Sequence, residues 1–227
     1  IASHLEGAFS LRQADAVGEP ILNQAYEMIR TSYDSVHGGF DPAPKFPTPH
    51  RFGFLLRHYH RTGDENALNM VRHTLSAMRR GGIWDHVGFG FHRYATDARW
   101  LLPHFEKMLY DQALMAIAFL ETFQVTGDPF FAHTAQEIFT YVLRDMTDES
   151  GGFYAAEDAD SEGEEGKFYV WSRSEFIQVL GPEEGPLWAD LFNLTPEGNF
   201  ADGATKQKTG ANIPHLTTSP AEWAAKT

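Results

Sequence analysis

The sequence lacks several features that mark common classes of protein. It contains no cysteine, which excludes disulfide bonds and thiolate metal sites. No apolar run approaches the roughly 18 residues that span a bilayer, and no signal peptide is recognisable. Basic residues are scarce, with 18 Lys and Arg against 31 Asp and Glu. The resulting net charge of −13 argues against a nucleic acid or an anionic membrane as partner.

Apolar and aromatic side chains and histidine are plentiful instead. Of the 227 residues, 42% are hydrophobic and 14% aromatic, which is enough for a core in one or two domains. Eleven histidines leave room for polar sites. The chain opens on Ile1 rather than Met, so we expect a fragment of a longer, soluble and cytoplasmic protein.

A repeated unit organises the chain. Gly-Glu-Pro at 18–20 and Thr-Gly-Asp at 62–64 and 126–128 each precede an amphipathic helix that runs into a glycine pair. The glycine pairs stand at 38–39, 81–82 and 151–152, and a degenerate fourth copy extends from 181 to about 200. Three helical hairpins and part of a fourth are therefore predicted.

Capping residues and apolar spacing define the one-sided helices. Asp64 is the predicted N-cap of a helix to about Arg80, and Asp128 with Pro129 begins another. The predicted buried faces are Leu68, Val71, Leu75 and Met78; Phe131, Ala135, Ile138, Val142 and Met146; and, in the first copy, Ile21, Leu22, Ala25, Met28 and Ile29.

Helices of a second kind alternate with these. Thr48-Pro49 begins one, and Ser172 with Glu175 forms a capping box for a short helix to Leu180. The longest is predicted to start at Pro103 and to continue through the apolar octet 113–120, which should be covered on all sides. The alternation predicts two concentric helical layers around a central space; an ordinary bundle or α-solenoid is the alternative.

Three long loops should gather at one end of these helices. They span 38–49, 81–103 and 151–171, and loops on a rigid scaffold are where sites are built. In the third loop, 153–155 and 167–171 are predicted to form a β-hairpin around an acidic turn at 157–166.

The start of the longest predicted helix carries a polar cluster. With Pro103 at the first helical position, His104, Lys107 and Asp111 share one helix face beside Glu106. This favours a functional site. The alternative is a Lys107–Asp111 ion pair with His104 as a buried, hydrogen-bonded residue.

The loop from Gly81 to Trp100 adds aromatic, acidic and histidine side chains. Rings that stack on sugar faces, next to acids and histidines that bind hydroxyls or move protons, suit a polyhydroxylated ligand. A purely structural lid is the alternative. The polar and aromatic residues concerned are Asp85, His86, His92, Arg93, Tyr94, Asp97 and Trp100.

Metal and cofactor signatures are weak. The run from Asp158 to Gly163 is similar to the start of a calcium loop, but its twelfth position is Tyr169 rather than a bidentate Glu. No HExxH, P-loop, nucleophile elbow or dinucleotide motif occurs. We therefore expect neither a metal nor a cofactor.

Two reaction classes fit the remaining residues. An isomerase would use a His to abstract a proton beside a carbonyl, with Arg93 or Lys107 stabilising the enediolate. A glycoside hydrolase would need two facing carboxylates. The candidates for these are Asp97, Glu106, Asp111, Asp158 and Asp160.

Four motifs in order support a family resemblance. They are Gly38–Pro47, His92–Asp97, Trp100–Asp111, and Asp158–Ser161 with Gly166–Trp171. Together they resemble the thioredoxin-domain-containing family that includes a spermatogenesis-associated protein and its bacterial relatives. The resemblance implies an (α/α)6 toroid of the six-hairpin glycosidase type, similar to N-acylglucosamine 2-epimerases, and an N-terminal thioredoxin-like domain.

These inferences combine into one hypothesis. Residues 1–227 should form about the first half of an (α/α)6 toroid, without the thioredoxin-like domain, and a second copy could cover its open edge. The ligand should be a small carbohydrate and the activity epimerase- or isomerase-like; the alternatives are a non-catalytic module that partners the thioredoxin-like domain, and a glycoside hydrolase. The predicted catalytic residues are His92, His104, Glu106 and Asp111, and the predicted ligand-binding residues are Arg93, Tyr94, Asp97, Trp100, Lys107 and Asp158.

Overall fold

The computed structural model describes residues 18–201 and 207–225, which divide into two compact units between Ser32 and Tyr33. The first unit contains α1 (Glu19–Ser32). The helices of the second are α2 (Pro49–Thr62), α3 (Glu65–Arg80), α4 (Leu109–Thr126), α5 (Pro129–Asp145), α6 (Arg173–Leu180), α7 (Gly185–Leu191) and α8 (Pro220–Ala224). Its short strands are β1 (Tyr94–Ala95), β2 (Pro103–His104), β3 (Lys107–Met108), β4 (Ala156–Glu157), β5 (Asp160–Ser161), β6 (Glu164–Glu165), β7 (Trp171–Ser172) and β8 (Ala211–Asn212).

Three predicted helix starts are confirmed by their capping hydrogen bonds. The Asp64 side chain accepts from the N–H of Asn66 at the start of α3, and Asp128 accepts from Phe130 at the start of α5. Ser172 accepts from the N–H of Glu175 at the start of α6. Each cap satisfies an amide that the helix itself cannot pair.

Helices α2 to α5 pack against one another in pairs. Helix α2 packs against α3 and α4, and α4 packs against α5. Helices α2 and α4 are thus neighbours, and each packs against one of the one-sided helices α3 and α5. The predicted faces of α3 and α5 are buried, with Val142 only partly so. The predicted face of α1 is not, because Ile21, Leu22 and Met28 are exposed.

The expectation that the apolar octet is covered on all sides is wrong. Leu114, Ile117 and Leu120 of α4 are 45%, 52% and 42% exposed, and Tyr110 precedes them on the same face. The opposite face, with Met115 and Phe119, is fully buried.

The prediction of a helix from Pro103 is also wrong, because residues 103–108 are extended and α4 begins only at Leu109. Long-range pairing holds this segment straight. Tyr94 pairs with His104 across β1–β2, and Lys107 pairs with Glu157 across β3–β4. His104, Lys107 and Asp111 therefore do not share a helix face.

The third loop pairs differently from the predicted hairpin. A hairpin does form, but inside the acidic turn, where Asp160 pairs with Glu165 in β5–β6. Of the two predicted arms, Phe153 bridges to Thr147 and Trp171 pairs with Asn212. The arms are held by separate partners, which local sequence does not reveal.

Gly39 illustrates how closely the first loop packs. Its φ is +87°, and a Cβ there would stand 2.5 Å from the buried ring of Trp100. Gly39→Ala is expected to lower the free energy of unfolding by about 2 kcal/mol, since backbone strain and overpacking add. Urea denaturation measures this.

Gly63→Ala is the matched control, because Gly63 has a φ of +74° but open space around its Cβ position. It should cost about 1 kcal/mol, the strain alone. Equal losses in the two variants would contradict the packing argument.

Candidate functional site

The extended segment 103–108 separates two groups of polar residues. Along it, Phe105 and Lys107 are buried, whereas His104 and Glu106 are partly exposed. Successive side chains of an extended chain point to opposite faces. We call the buried side, around Lys107, the Lys107 cavity. The other side is the Asp111 cluster, which consists of Arg93, Tyr94, His104, Glu106 and Asp111.

The Lys107 cavity has a volume of about 620 Å³ and a charged floor. The Lys107 ammonium donates to Asp85 Oδ2 at 2.8 Å and to the Phe89 carbonyl at 2.9 Å. It also lies 4.4 Å from the ring centre of Tyr141 and 4.8 Å from that of Tyr169. The aromatic walls are Trp84, Phe105, Tyr141, Phe168, Tyr169 and Trp171.

Lys107 and Asp85 form a buried ion pair, their side chains 1% and 11% exposed. Burial by itself disfavours the charged form of Asp85, but the Lys107 ammonium and the N–H of Gly88 outweigh it and lower the pKa of the carboxyl. Lys107 therefore pairs with Asp85. The Lys107–Asp111 ion pair of the alternative interpretation is not formed.

Glu157 is held between two tyrosines in the same cavity. Its carboxylate accepts a hydrogen bond from the Tyr141 hydroxyl at 2.6 Å and another from the Tyr169 hydroxyl. Burial and the Glu157 charge raise the pKa of both phenols well above the ordinary value, so they remain protonated donors.

His92, a predicted catalytic residue, is buried in the wall of this cavity. Its Nδ1 lies 2.9 Å from the Phe105 carbonyl, and its ring packs edge-on against Phe105 and Tyr169. Burial and the Lys107 charge lower the pKa of His92 to about 3. An uncharged His fixed to backbone indicates packing rather than proton transfer.

The Asp111 cluster gathers five of the ten predicted site residues. Arg93 donates to Glu106 Oε2 at 2.8 Å, and the ring of His104 stacks on Tyr94 with centres 5.1 Å apart. His104 Nε2 lies 3.7 Å from Glu106 Oε2, and its Nδ1 lies 2.6 Å from Oε1 of Glu165. The β1–β2 register brings Tyr94 and His104 side by side.

Asp111 has a buried carboxylate oxygen without a partner in the described chain. It lies in the first turn of α4, is 7% exposed, and its Oδ2 has no hydrogen-bond partner among residues 18–201 and 207–225. Burial raises its pKa to about 7; Arg93 opposes the rise and Glu106 adds to it. The carboxyl is thus poised to take up or release a proton near neutral pH.

Three further predicted residues lie outside both groups. Asp97 accepts the backbone N–H groups of its own loop, those of Leu101 and Leu102 included. Trp100 is fully buried and donates from Nε1 to the His37 carbonyl at 3.0 Å. It cannot stack on a sugar. Asp158 is exposed and accepts a hydrogen bond from the N–H of Asp160 at 3.1 Å.

Sequence reasoning missed several residues that build the two groups. Tyr141, Glu157 and Glu165 carry no local signal, because each acts through a distant partner. Tyr169 lies within the Gly166–Trp171 motif, but its sequence position indicates only that the calcium-loop pattern lacks its final ligand. Gln112, which belongs to neither group, is also fully buried; its side chain accepts a hydrogen bond from the Phe91 N–H at 2.8 Å and donates one to the Phe91 carbonyl at 2.6 Å.

Two broader features concern metals and membranes. Within the residues described, no group of three or more His, Asp or Glu side chains is arranged to hold a metal ion. None of the described helices combines the length and apolarity that a bilayer crossing requires.

Comparison with known sequences finds relatives that match this chain over only part of their own length. No protein-family model matches the chain. Spermatogenesis-associated protein 20 of Homo sapiens is 44% identical over 209 residues, which are 84% of this chain and 27% of that protein. The chain spans about a quarter of the length of the curated relatives it matches.

Comparison with solved structures gives the fold. A cellobiose 2-epimerase from Bacillus thermoamylovorans superposes with a TM-score of 0.53 at 15% identity, over 81% of this chain and 57% of that one. A cellobiose 2-epimerase from Spirochaeta thermophila gives 0.52 at 20% identity, over 63% and 42%. The chain is therefore mainly helical, with a fold like that of sugar epimerases and a sequence similar to a quarter of spermatogenesis-associated protein 20.

Proposed function

We propose that the Asp111 cluster is the acid–base centre of a carbohydrate site, and that the intact protein epimerises or isomerises a small sugar. Asp111 carries the proposal: it is a buried carboxyl without a partner for Oδ2 in the described chain, and its pKa is about 7. A general base works best when its pKa lies near the working pH. The likeness in fold to sugar epimerases supports the substrate class.

The surroundings of Asp111 suit a polyhydroxylated ligand. Phe46, Tyr94 and His104 form a row of stacked rings, with centres 4.7 Å and 5.1 Å apart. The row ends in Phe46, which is 45% exposed and offers an apolar face to a sugar ring. The Arg93–Glu106 pair supplies donors and acceptors for hydroxyl groups.

The proposed reaction begins with an open-chain sugar. The Asp111 carboxylate removes the proton from the carbon next to the carbonyl, and the electron pair moves onto the carbonyl oxygen. Arg93 or His104 stabilises the enediolate. Return of the proton to the opposite face of the same carbon gives the epimer. Its return to the neighbouring carbon gives the isomer, with the hydroxyl proton of the first carbon moving to the former carbonyl oxygen.

Proton exchange is the direct test. The protein is incubated in D2O with glucose, mannose, fructose, N-acetylglucosamine and cellobiose, and deuterium at the carbon next to the carbonyl is followed by NMR. We expect exchange with at least one sugar. Asp111→Asn should slow it by about 100-fold or more, which is the usual contribution of a general base.

Asp158→Asn is the matched control, since it makes the same chemical change at an exposed carboxylate outside the cluster. Its exchange rate should equal that of the unaltered protein. Sugar binding without exchange would support the non-catalytic module instead. The proposal is overturned if none of the sugars binds and none exchanges its proton.

A further inference from the structure

A second cavity, distinct from the two groups above, is lined by basic side chains. It has a volume of about 260 Å³ and lies at the C-terminal end of α3. Among residues 18–201 and 207–225, no Asp or Glu lines it, although the whole chain carries a net charge of −13. We call it the basic pocket, and its basic residues are His37, His73, Arg80, Arg99 and His215.

Hydrogen bonds hold the walls of the basic pocket in place. The N–H of Leu216 donates to the Arg80 carbonyl at 2.7 Å, which ties the C-terminal segment to α3. The Trp100 indole donates to the His37 carbonyl at 3.0 Å, which ties the second loop to the first. The pocket is therefore preformed and needs no ligand to assemble it.

In the described chain, the two arginines of the pocket have no carboxylate partner. The guanidinium groups of Arg80 and Arg99 have neither a hydrogen bond nor an ion pair in the described part of the chain. The carboxylates that influence the histidines are already engaged. Asp34 pairs with Lys45 at 2.5 Å, and Asp97 binds backbone N–H groups.

We propose that the basic pocket binds the phosphate group of a small phosphate monoester. Guanidinium groups match the geometry of phosphate oxygens and can bind them in bidentate fashion. The volume of about 260 Å³ admits a phosphate with a short organic part but not a macromolecular segment. The proposal is independent of any chemistry at the Asp111 cluster.

The histidines add a pH dependence. The Nδ1 of His73 lies 2.5 Å from the Tyr33 hydroxyl. Burial lowers the pKa of His73, so the ring is largely uncharged at neutral pH; the charged and titratable groups that also face it are Asp34, His37, Lys45 and Arg80. A bound oxyanion favours the protonated ring. Affinity should therefore increase as the pH falls.

The same holds for the histidine of the C-terminal segment. Burial lowers the pKa of His215, which faces Arg99 and Asp97. Sulfate is the probe for the pH effect, because its own charge is constant between pH 5.5 and 8. The expected strengthening over this range is about tenfold.

Calorimetric titration with inorganic phosphate and with glycerol 3-phosphate tests the site. Both should bind saturably, and tighter binding of the ester would show that the organic part is also held. Arg80→Gln and Arg99→Gln should each weaken binding by about tenfold or more, the usual loss for one charge-assisted hydrogen bond. Circular dichroism verifies that the variants fold.

Arg72→Gln is the matched control, because Arg72 is an exposed arginine of the same helix outside the pocket. It should bind phosphate as the unaltered protein does. The proposal is overturned if the unaltered protein shows no saturable binding of either probe, or if Arg72→Gln loses as much affinity as the pocket variants.

Discussion

Lys107→Met is expected to lower the free energy of unfolding by about 4 kcal/mol, as measured by urea denaturation at neutral pH. Met preserves most of the volume and the contact with Tyr141 and Tyr169, so the packing loss is small. The loss comes from Asp85, which would remain buried and charged without its cation. Removing one partner of a buried ion pair typically costs about 3–5 kcal/mol.

Two further variants separate this cause from others. Asp85→Asn combined with Lys107→Met should recover part of the stability, since no uncompensated charge remains. Lys167→Met is the control, because Lys167 pairs with Glu162 at an exposed position, where ion pairs contribute little. If the double variant is no more stable than Lys107→Met alone, the lost charge compensation is not the cause.

Asp111→Asn is expected to change the pH dependence of stability. The folded-state pKa of Asp111 is about 7 and its ordinary value is 3.8, so between these pH values the folded protein binds more protons than the unfolded one. Stability is therefore lost as the pH rises through this window. The shift corresponds to about 4 kcal/mol at most, and partial solvent screening reduces this to about 3 kcal/mol.

Asparagine cannot ionise, so the variant should escape this loss. Relative to the unaltered protein, Asp111→Asn should gain about 2 kcal/mol between pH 4.5 and pH 8 in urea denaturation, because this range covers about three quarters of the window. Any pH-independent effect of the asparagine on the free energy of unfolding cancels when the values at the two pH values are subtracted. Asp158→Asn, at an exposed carboxylate, should show no such gain. A pH-independent effect of Asp111→Asn would rule out a buried, titrating carboxyl.

The sequence predicted most of the helical scaffold because the deciding signals are local. A capping side chain three residues or fewer from its amide, as at Asp64, Asp128 and Ser172, is visible in the sequence itself. The one-sided apolar spacing of α3 and α5 is equally local. These features fix where a helix begins and which face it buries.

The segment before α4 was mispredicted because a local signal competed with distant partners. Pro103 fits the first position of a helix, yet the backbone of this segment pairs with Tyr94 and Glu157. Half of the predicted site residues were nonetheless brought together, because the segment and the loop before it meet in space. The Lys107–Asp85 pair was not foreseeable, since nothing in the sequence says which of many carboxylates is near.

The alternation of side chains along residues 103–108 restricts how this part of the protein can change. A substitution at His104 or Glu106 alters one compartment and leaves the other intact, because Phe105 and Lys107 face away from them. An insertion or deletion of one residue would alter both sides at once, since it turns every following side chain of the segment to the other face. Such a change would place Lys107 among the groups that surround Asp111 and leave the buried Asp85 without its cation. The segment can therefore diversify in residue type but not in length.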